Sequence, residues 1–408
     1  MNRVAITGAG VISAIGATLT EFHDALAAGR SGIARLGPDT AAGSCVEVGA
    51  MAGWNPLTVL KENEAGAMDR VSQLALGAAL QALTASGLDL GAADTDRVGV
   101  YWGTGMGGAH TVDANYKMLY GNDTWRLRPL TVVMAMNNAA GSNIALRFGL
   151  RGPFANFSTA CSSSALAVGE AMRTIAAGRA DAIVAGGSES LLTPGTLAAW
   201  QALRTLAPAD RNDAAASCKP FDRRRSGLVL GEGAAAFVLE SERHARARGA
   251  RIHGYVTGYG NTCDAVHISR PDVRGQARAM RDALAEAGLE PRDIAYINAH
   301  GTATAVGDAV ETQAIHAVFG KHTADVRVSS TKSLHGHLLG GSGALEFAAA
   351  LLALEGVLPP TGFLEQPDPA CALRHVAREA ERISPPRAVM SNSFAFGGSN
   401  VVLLAERA

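Results

Sequence analysis

The sequence predicts an α/β fold, and three observations lead there. Short apolar runs alternate with helical periodicities along almost the whole chain. Glycines bound many of those runs, as expected of buried strands that end in turns. Finally, 48% of the 408 residues are hydrophobic, 18% are charged and 47 are glycine, a composition suited to a thickly layered globule whose backbone segments pass close together. Strand and helix patterns in alternation argue for mostly buried strands covered by helices.

Taken in order, strands are expected at 4–8 (VAITG), 98–103 (VGVYWG), 181–187 (DAIVAGG) and 234–240 (AAAFVLE). Later strands are expected at 252–260, 294–301, 326–330, 388–394 and 401–406. Helical patterns fill many gaps, at 69–86, 162–177, 275–287, 308–318 and 343–355. In the second of these Leu166, Val168, Met172 and Ile175 recur at helical spacing, and Gly178 is the expected C-cap. The two halves echo each other, each a β-rich start followed by helix–strand units, although no stretch repeats in primary sequence. A seam is expected near 245–251, giving an N-terminal half at 1–250 and a C-terminal half at 251–408.

The bulk numbers exclude several classes. Formal net charge is −1, so no basic field exists to hold nucleic acid or an anionic membrane. The apolar stretch 347–354 stops at Glu355, far short of the ~20 residues a membrane span needs. The N-terminal apolar run is broken by Gly8, Gly10 and Gly16 and reads as a first strand and turn rather than a signal peptide. Five widely spaced cysteines without a CxxC point away from zinc and from a disulfide framework, which fits a reducing cytoplasm.

Chemistry is expected in glycine-rich turns. In FANFSTACSSSALAVGEAM, Cys161 falls where a strand passes into a helix. Orphan N–H groups and the helix dipole at such a start lower a thiol pKa; the alternative is a small buried apolar residue. In INAHGTATAVGD, His300 follows an apolar strand beside Gly301, Thr302 and Thr304. A hydrogen-bonded core histidine and a ligand-facing one are both open there. In SSTKSLHGHLLGGSGALE come Lys332, His335 and His337, with Glu346 placed to pair with Lys332, either as an ion pair stapling a loop or as part of a site. SNSFAFGGSN adds Phe394 and Phe396 before two glycines. The opening TGAG supplies only a partial dinucleotide fingerprint, without a clear acidic ribose ligand. One cysteine and two separated histidines together outline acyl transfer to a thiolate followed by stabilisation of an enolate, as a decarboxylative condensation requires.

The ordered set TACSSS, PFDRRRSG…GEGA, NAHGTAT…GD, TKSLHGHLLG and NSFAFGGSN resembles the elongating β-ketoacyl-acyl carrier protein synthases, over essentially the whole chain. The resemblance implies a thiolase fold, two similar halves forming a five-layered αβαβα core, and a dimer, homodimeric or with a related synthase subunit. It implies decarboxylative condensation of malonyl-acyl carrier protein with an acyl chain on Cys161, in fatty-acid or polyketide-like synthesis, with no metal and no separate cofactor. His300 and His337 match the catalytic histidines, Lys332 the motif lysine, and Glu346 and Asp308 supporting acids. Backbone N–H groups of Cys161 and Phe396 match the oxyanion hole, and Phe396 the gate of the acyl pocket. Thr302 and Thr304 match hydroxyls that meet the phosphopantetheine arm, while Met106, Trp200 and Phe394 match pocket residues. Alternatives are a coenzyme A-dependent thiolase-like acyltransferase and a non-catalytic subunit of a synthase complex.

Departures from the family pattern carry their own expectations. Ala395 stands where a glycine is usual in the gate, and Trp200 where a smaller aromatic is common, so a stiffer gate and bulkier wall predict selectivity in acyl length or geometry. Glu64, Ala65, Gly66 and Ala67 replace the basic residues at which the carrier docks, leaving Arg126, Arg128 and Arg204 as docking candidates. His335 lies one step too early for the motif histidine and is expected to act through loop packing.

Overall fold

Strand β1 (Val4–Ile12) is buried at every residue, as a strand covered on both faces must be. In the computed structural model, which describes residues 3–121 and 126–408, it opens a first series of elements. These are α1 (Leu19–Ala27), α2 (Arg70–Ser86), β2 (Val98–Gly103), α3 (Ala109–Gly121), α4 (Ala139–Phe148) and β3 (Phe154–Phe157). The series ends with α5 (Ser163–Ala176), β4 (Ala182–Glu189), α6 (Pro194–Ala202) and β5 (Gly233–Ser241). A second series follows: β6 (Gly254–Cys263), α7 (Val273–Ala287), β7 (Ile294–Asn298), α8 (Ala305–Phe319), β8 (Arg327–Ser329), α9 (Ser342–Leu354), β9 (Ala388–Phe394) and β10 (Ser399–Glu406).

The two series pair in the same way. In the first, β5 runs antiparallel between β1 and β4, and β2 lies parallel between β4 and β3. In the second, β10 runs antiparallel between β6 and β9, and β7 lies parallel between β9 and β8. A short antiparallel contact of Val4–Ile6 with Gly254–Val256 joins the two, so one sheet of eleven strands runs through the described residues. The eleventh is a two-residue edge strand, Arg374–His375, beside β8.

Period-two alternation then builds the layers. Ala235, Phe237 and Leu239 of β5 face a central core shared with α5 and α9, whereas Ala234, Ala236 and Val238 face an outer core with α2. Likewise Val401 and Leu403 of β10 face the centre, and Val402 and Leu404 face an outer core with α7 and α8. The order is helices, sheet, helices, sheet, helices: the thiolase-type arrangement. Helix α9 is buried along its whole length, Glu346 included, which is why it carries no polar stripe.

The opening Gly-x-Gly has a packing role. A Cβ on Gly8 or Gly10 would stand 2.2 Å from the carbonyl oxygens of Ala82 and Ala78 in α2. In the second half Gly258 and Gly260 meet Ala283 and Ala279 of α7 in the same way, at 2.3 and 1.9 Å. These pairs let an outer helix lie on each sheet. Among the described residues no helix is long and apolar enough to cross a membrane.

Candidate active site

Three turns converge where the central helices begin. A single 3-10 turn, Ala160–Ser162, precedes α5 and carries Cys161; Ala160 is held at φ +49°, a left-handed conformation that alanine rarely adopts. His300 follows β7. His337 follows Gly336 (φ +72°) in the loop before α9. The two central helices occupy equivalent places in the two series, so the cysteine and His337 sit at corresponding positions and face each other. Their approach depends on small residues: a Cβ on Gly343 would come within 2.8 Å of Ala165. Backbone strain concentrated here fits a site whose surroundings over-determine it.

Cys161 Sγ lies 3.1 Å from His337 Nε2. The sulfur and one nitrogen from each of His300 and His337 lie within 4.8 Å of one another, and the two rings meet edge to face, 5.5 Å apart. Backbone N–H groups of Phe396 and of Cys161 point at the sulfur. Burial pushes the thiol up to about 12, and the Lys332 ammonium and those N–H groups offset this only in part. This reverses the lowering expected from a helix start, because Cys161 is only 5% exposed.

The ammonium of Lys332 is fully buried and has three acceptors for its three protons. They are the His300 carbonyl (2.6 Å), His300 Nδ1 (3.4 Å) and the Glu346 carboxylate. With Nδ1 accepting, the proton of a neutral His300 sits on Nε2. Burial, then the Lys332 charge, hold both His300 and His337 well below the usual imidazole range, so both rings are neutral. Burial pushes the Glu346 carboxyl up, and Lys332 pulls it back. Behind His300, the Glu311 carboxylate accepts the N–H groups of His300 and Gly301 at 2.9 and 2.8 Å. Behind His337, the Ser342 hydroxyl accepts the Leu338 N–H and contacts His337 Nδ1, each at 2.8 Å. Glu311 and Ser342 escaped the sequence reading: each acts from a neighbouring turn of helix, and neither has a motif of its own.

A cavity of about 390 Å³ leads from the surface to Cys161, and its walls include His300, His337, Thr302, Thr304, Trp200, Phe394 and Phe396. Thr304 caps α8, with its hydroxyl 3.0 Å from that of Thr302. Phe396 stacks on Trp200, with rings 6.2 Å apart and tilted by 23°. Ala395 is extended (φ −118°, ψ 155°), a conformation it adopts without strain, and the left-handed turns fall on Gly397 and Gly398. Asp308 supports the wall from behind by accepting the Phe221 N–H at 2.8 Å; burial pushes its carboxyl up to about 7.

Not every expected residue joins this cavity. Arg204 does, at its rim, but Arg126 and Arg128 lie exposed between α3 and the short helix Thr131–Ala135. Met106 is also outside the lining, exposed near the same surface. His335 points away: its Nδ1–H donates to the Gly336 carbonyl at 2.8 Å and its Nε2 accepts from the Thr331 hydroxyl at 2.9 Å.

Residues 1–245 match the β-ketoacyl synthase N-terminal domain, and residues 253–365 the C-terminal domain. The chain belongs to the β-ketoacyl synthase family, and so to the condensing acyltransferases. It is 42% identical to nodulation protein E of Rhizobium meliloti (strain 1021), over 98% of both chains. It is 39% identical to 3-oxoacyl-[acyl-carrier-protein] synthase 2 of a Synechocystis strain, over 98% of this chain and 97% of that one. Among solved structures, the ishigamide ketosynthase/chain length factor superposes with a TM-score of 0.94 at 32% identity, over 100% of this chain and 99% of that one.

Proposed function

We propose that this protein condenses a Cys161-bound acyl chain with a malonyl group carried by acyl carrier protein, lengthening the chain by two carbons. The observation that carries this reading is the meeting of one thiol and two neutral imidazoles in the wall of one cavity. In the first step Cys161 loses its proton to solvent, and the thiolate, with the His337 Nε2–H directed at it from 3.1 Å, attacks the carbonyl of the incoming thioester. The new C–S bond forms as the old one breaks, and the departing carrier thiolate takes up a proton. N–H groups of Cys161 and Phe396 bind the tetrahedral oxyanion.

In the second step the malonyl thioester oxygen sits between His300 and His337. Loss of carbon dioxide leaves its electron pair in an enolate, whose oxygen both Nε2–H groups stabilise. The enolate carbon then attacks the Cys161 thioester, a C–C bond forms, and the cysteine leaves as thiolate to be reprotonated. His300 is preset for this work, because Lys332 occupies its Nδ1. Ser342 serves either tautomer of His337, accepting from an Nδ1–H or donating to a bare Nδ1. Thr302 and Thr304 meet the polar pantetheine arm, and Arg204 receives the carrier at the rim.

The partner is proposed as a second copy. Strand β3 is a sheet edge, and an apolar surface lies nearby, with Tyr116, Leu130, Val132, Met136 and Phe154 all exposed. The pairing of a ketosynthase with a chain length factor in the ishigamide protein favours a related subunit as the second possibility. Residues 1–250 and 251–408 are proposed as the duplicated halves, and a reducing cytoplasm as the compartment, consistent with five free cysteines.

Incubation with acyl-carrier protein tests the reading. A mass increment is expected on the peptide holding Cys161, and Cys161→Ala should abolish loading and condensation. Loading that survives in the alanine variant would contradict it.

A further inference from the structure

Strand β4 ends in a carboxylate that the reaction above does not use. Glu189 is wholly buried and, among the described residues, forms no ion pair; four donors hold it instead. Its Oε2 accepts the N–H groups of Gly105 (2.6 Å) and Gly340 (3.0 Å), and its Oε1 the Thr104 hydroxyl (3.1 Å) and the Met106 N–H (3.2 Å). Burial pushes the carboxyl up to about 7, and these donors pull it back toward the ionised form. Taking such a charge out of water is costly, and an apolar side chain would fill the space at less cost. The turn that Glu189 holds lies directly behind His337. Leu339 stands there at φ +43°, a left-handed conformation that leucine rarely adopts, and persists in it only while its surroundings enforce it. Gly340 packs so tightly on the loop after β2 that a Cβ would lie 2.2 Å from the Gly105 nitrogen. The same turn presents Ser342, whose hydroxyl accepts the Leu338 N–H and contacts His337 Nδ1.

We propose that Glu189 is a positioning residue for decarboxylation, pinning the 338–342 turn so that Ser342 aims the His337 imidazole. The inference rests on the condensation reading above. A turn released from Glu189 is free to relax at Leu339, and the Ser342 hydroxyl moves with it. The imidazole then loses its fixed aim at the malonyl thioester oxygen. Misplacing a catalytic group by about 1 Å costs up to about 10²-fold in rate. Acylation depends less on this contact, because the N–H groups of Cys161 and Phe396 bind its oxyanion.

The test measures acylation of Cys161 and release of carbon dioxide in separate single turnovers and takes the ratio of the second rate to the first. Glu189→Ala should lower that ratio by roughly ten- to a hundredfold. Glu189→Asp keeps the charge but ends one methylene short of Gly340, and should lower the ratio too; it decides the matter if the alanine variant does not fold. Glu189→Gln can keep its oxygen on Gly105 and Gly340 and turn its amide toward the Thr104 hydroxyl, so its ratio should stay close to wild type. Gly260→Ala strains an outer helix of the second series instead, and should leave the ratio unchanged although it destabilises the fold. A wild-type ratio in Glu189→Asp or in a folded Glu189→Ala overturns the inference and leaves condensation intact. So does a ratio that falls as far in Glu189→Gln or Gly260→Ala. A wild-type protein that neither loads Cys161 nor releases carbon dioxide overturns the condensation reading and this inference with it.

Discussion

His335 has both ring nitrogens committed inside the fold, one donating to Gly336 and one accepting from Thr331. Burial and the Lys332 charge lower its pKa to about 3, against 6.5 for the free side chain. The folded protein therefore refuses a proton that the unfolded chain binds, and this group costs stability as pH falls from about 6.5 toward 3. Replacement by alanine removes that cost, so the stability difference between wild type and His335→Ala should change by about 1.4 kcal/mol per pH unit in that window. Urea unfolding at several pH values measures it; parallel curves would contradict the assignment. Activity of His335→Ala should fall only a few-fold, since the ring faces away from the thiol. At this scale the sequence was largely legible. Cys161, His300 and His337 stand in turns that glycine and hydroxyl residues mark, and the Lys332–Glu346 pair was visible from spacing. Glu311 and Ser342 were not, because their roles depend on which helical turn lands behind each histidine. Nor was the thiol's pKa, since a cysteine's position in the chain does not disclose how much protein lies over it.

Among the elements, the long buried strands and the helices with an apolar rhythm were readable. Thus 98–103 and 388–394 agree with β2 and β9 to the residue, and Arg70–Ser86 falls within the expected 69–86. Helix α6 was missed: it starts with Pro194 and Gly195, residues that usually signal a turn, but Pro at N1 and the Thr193 cap make a sound helix start. Strand β3 is four residues long and was absorbed into the cysteine motif. The glycine pairs in β1 and β6 show how a partial ligand fingerprint can be a packing device. Gly10→Ala or Gly260→Ala should destabilise the fold by at least about 1–3 kcal/mol, because the methyl group would meet helix backbone rather than a movable side chain. Denaturant unfolding measures the effect; a loss below 0.5 kcal/mol would show that the outer helices can shift outward at little cost.

For the whole molecule, the repeated strand pairing makes the site a product of both series: one contributes the thiol, the other both imidazoles. The exposed β3 edge and its apolar neighbours predict that Phe154→Glu combined with Val132→Glu yields a monomer by light scattering, while the wild type is dimeric; a dimer that survives both charges would place the interface elsewhere. The central claim is that one half holds the acyl chain while the other makes the enolate, so the two steps must separate by mutation. Single-turnover reactions that score acylation of Cys161 and release of carbon dioxide independently provide the most direct test, with His300→Ala and His337→Ala compared against wild type. Both variants should still acquire the acyl group but release carbon dioxide on the order of 10²–10³ more slowly, the usual cost of losing a donor to a developing oxyanion. Near-normal release from either variant, with acylation intact, would contradict the account.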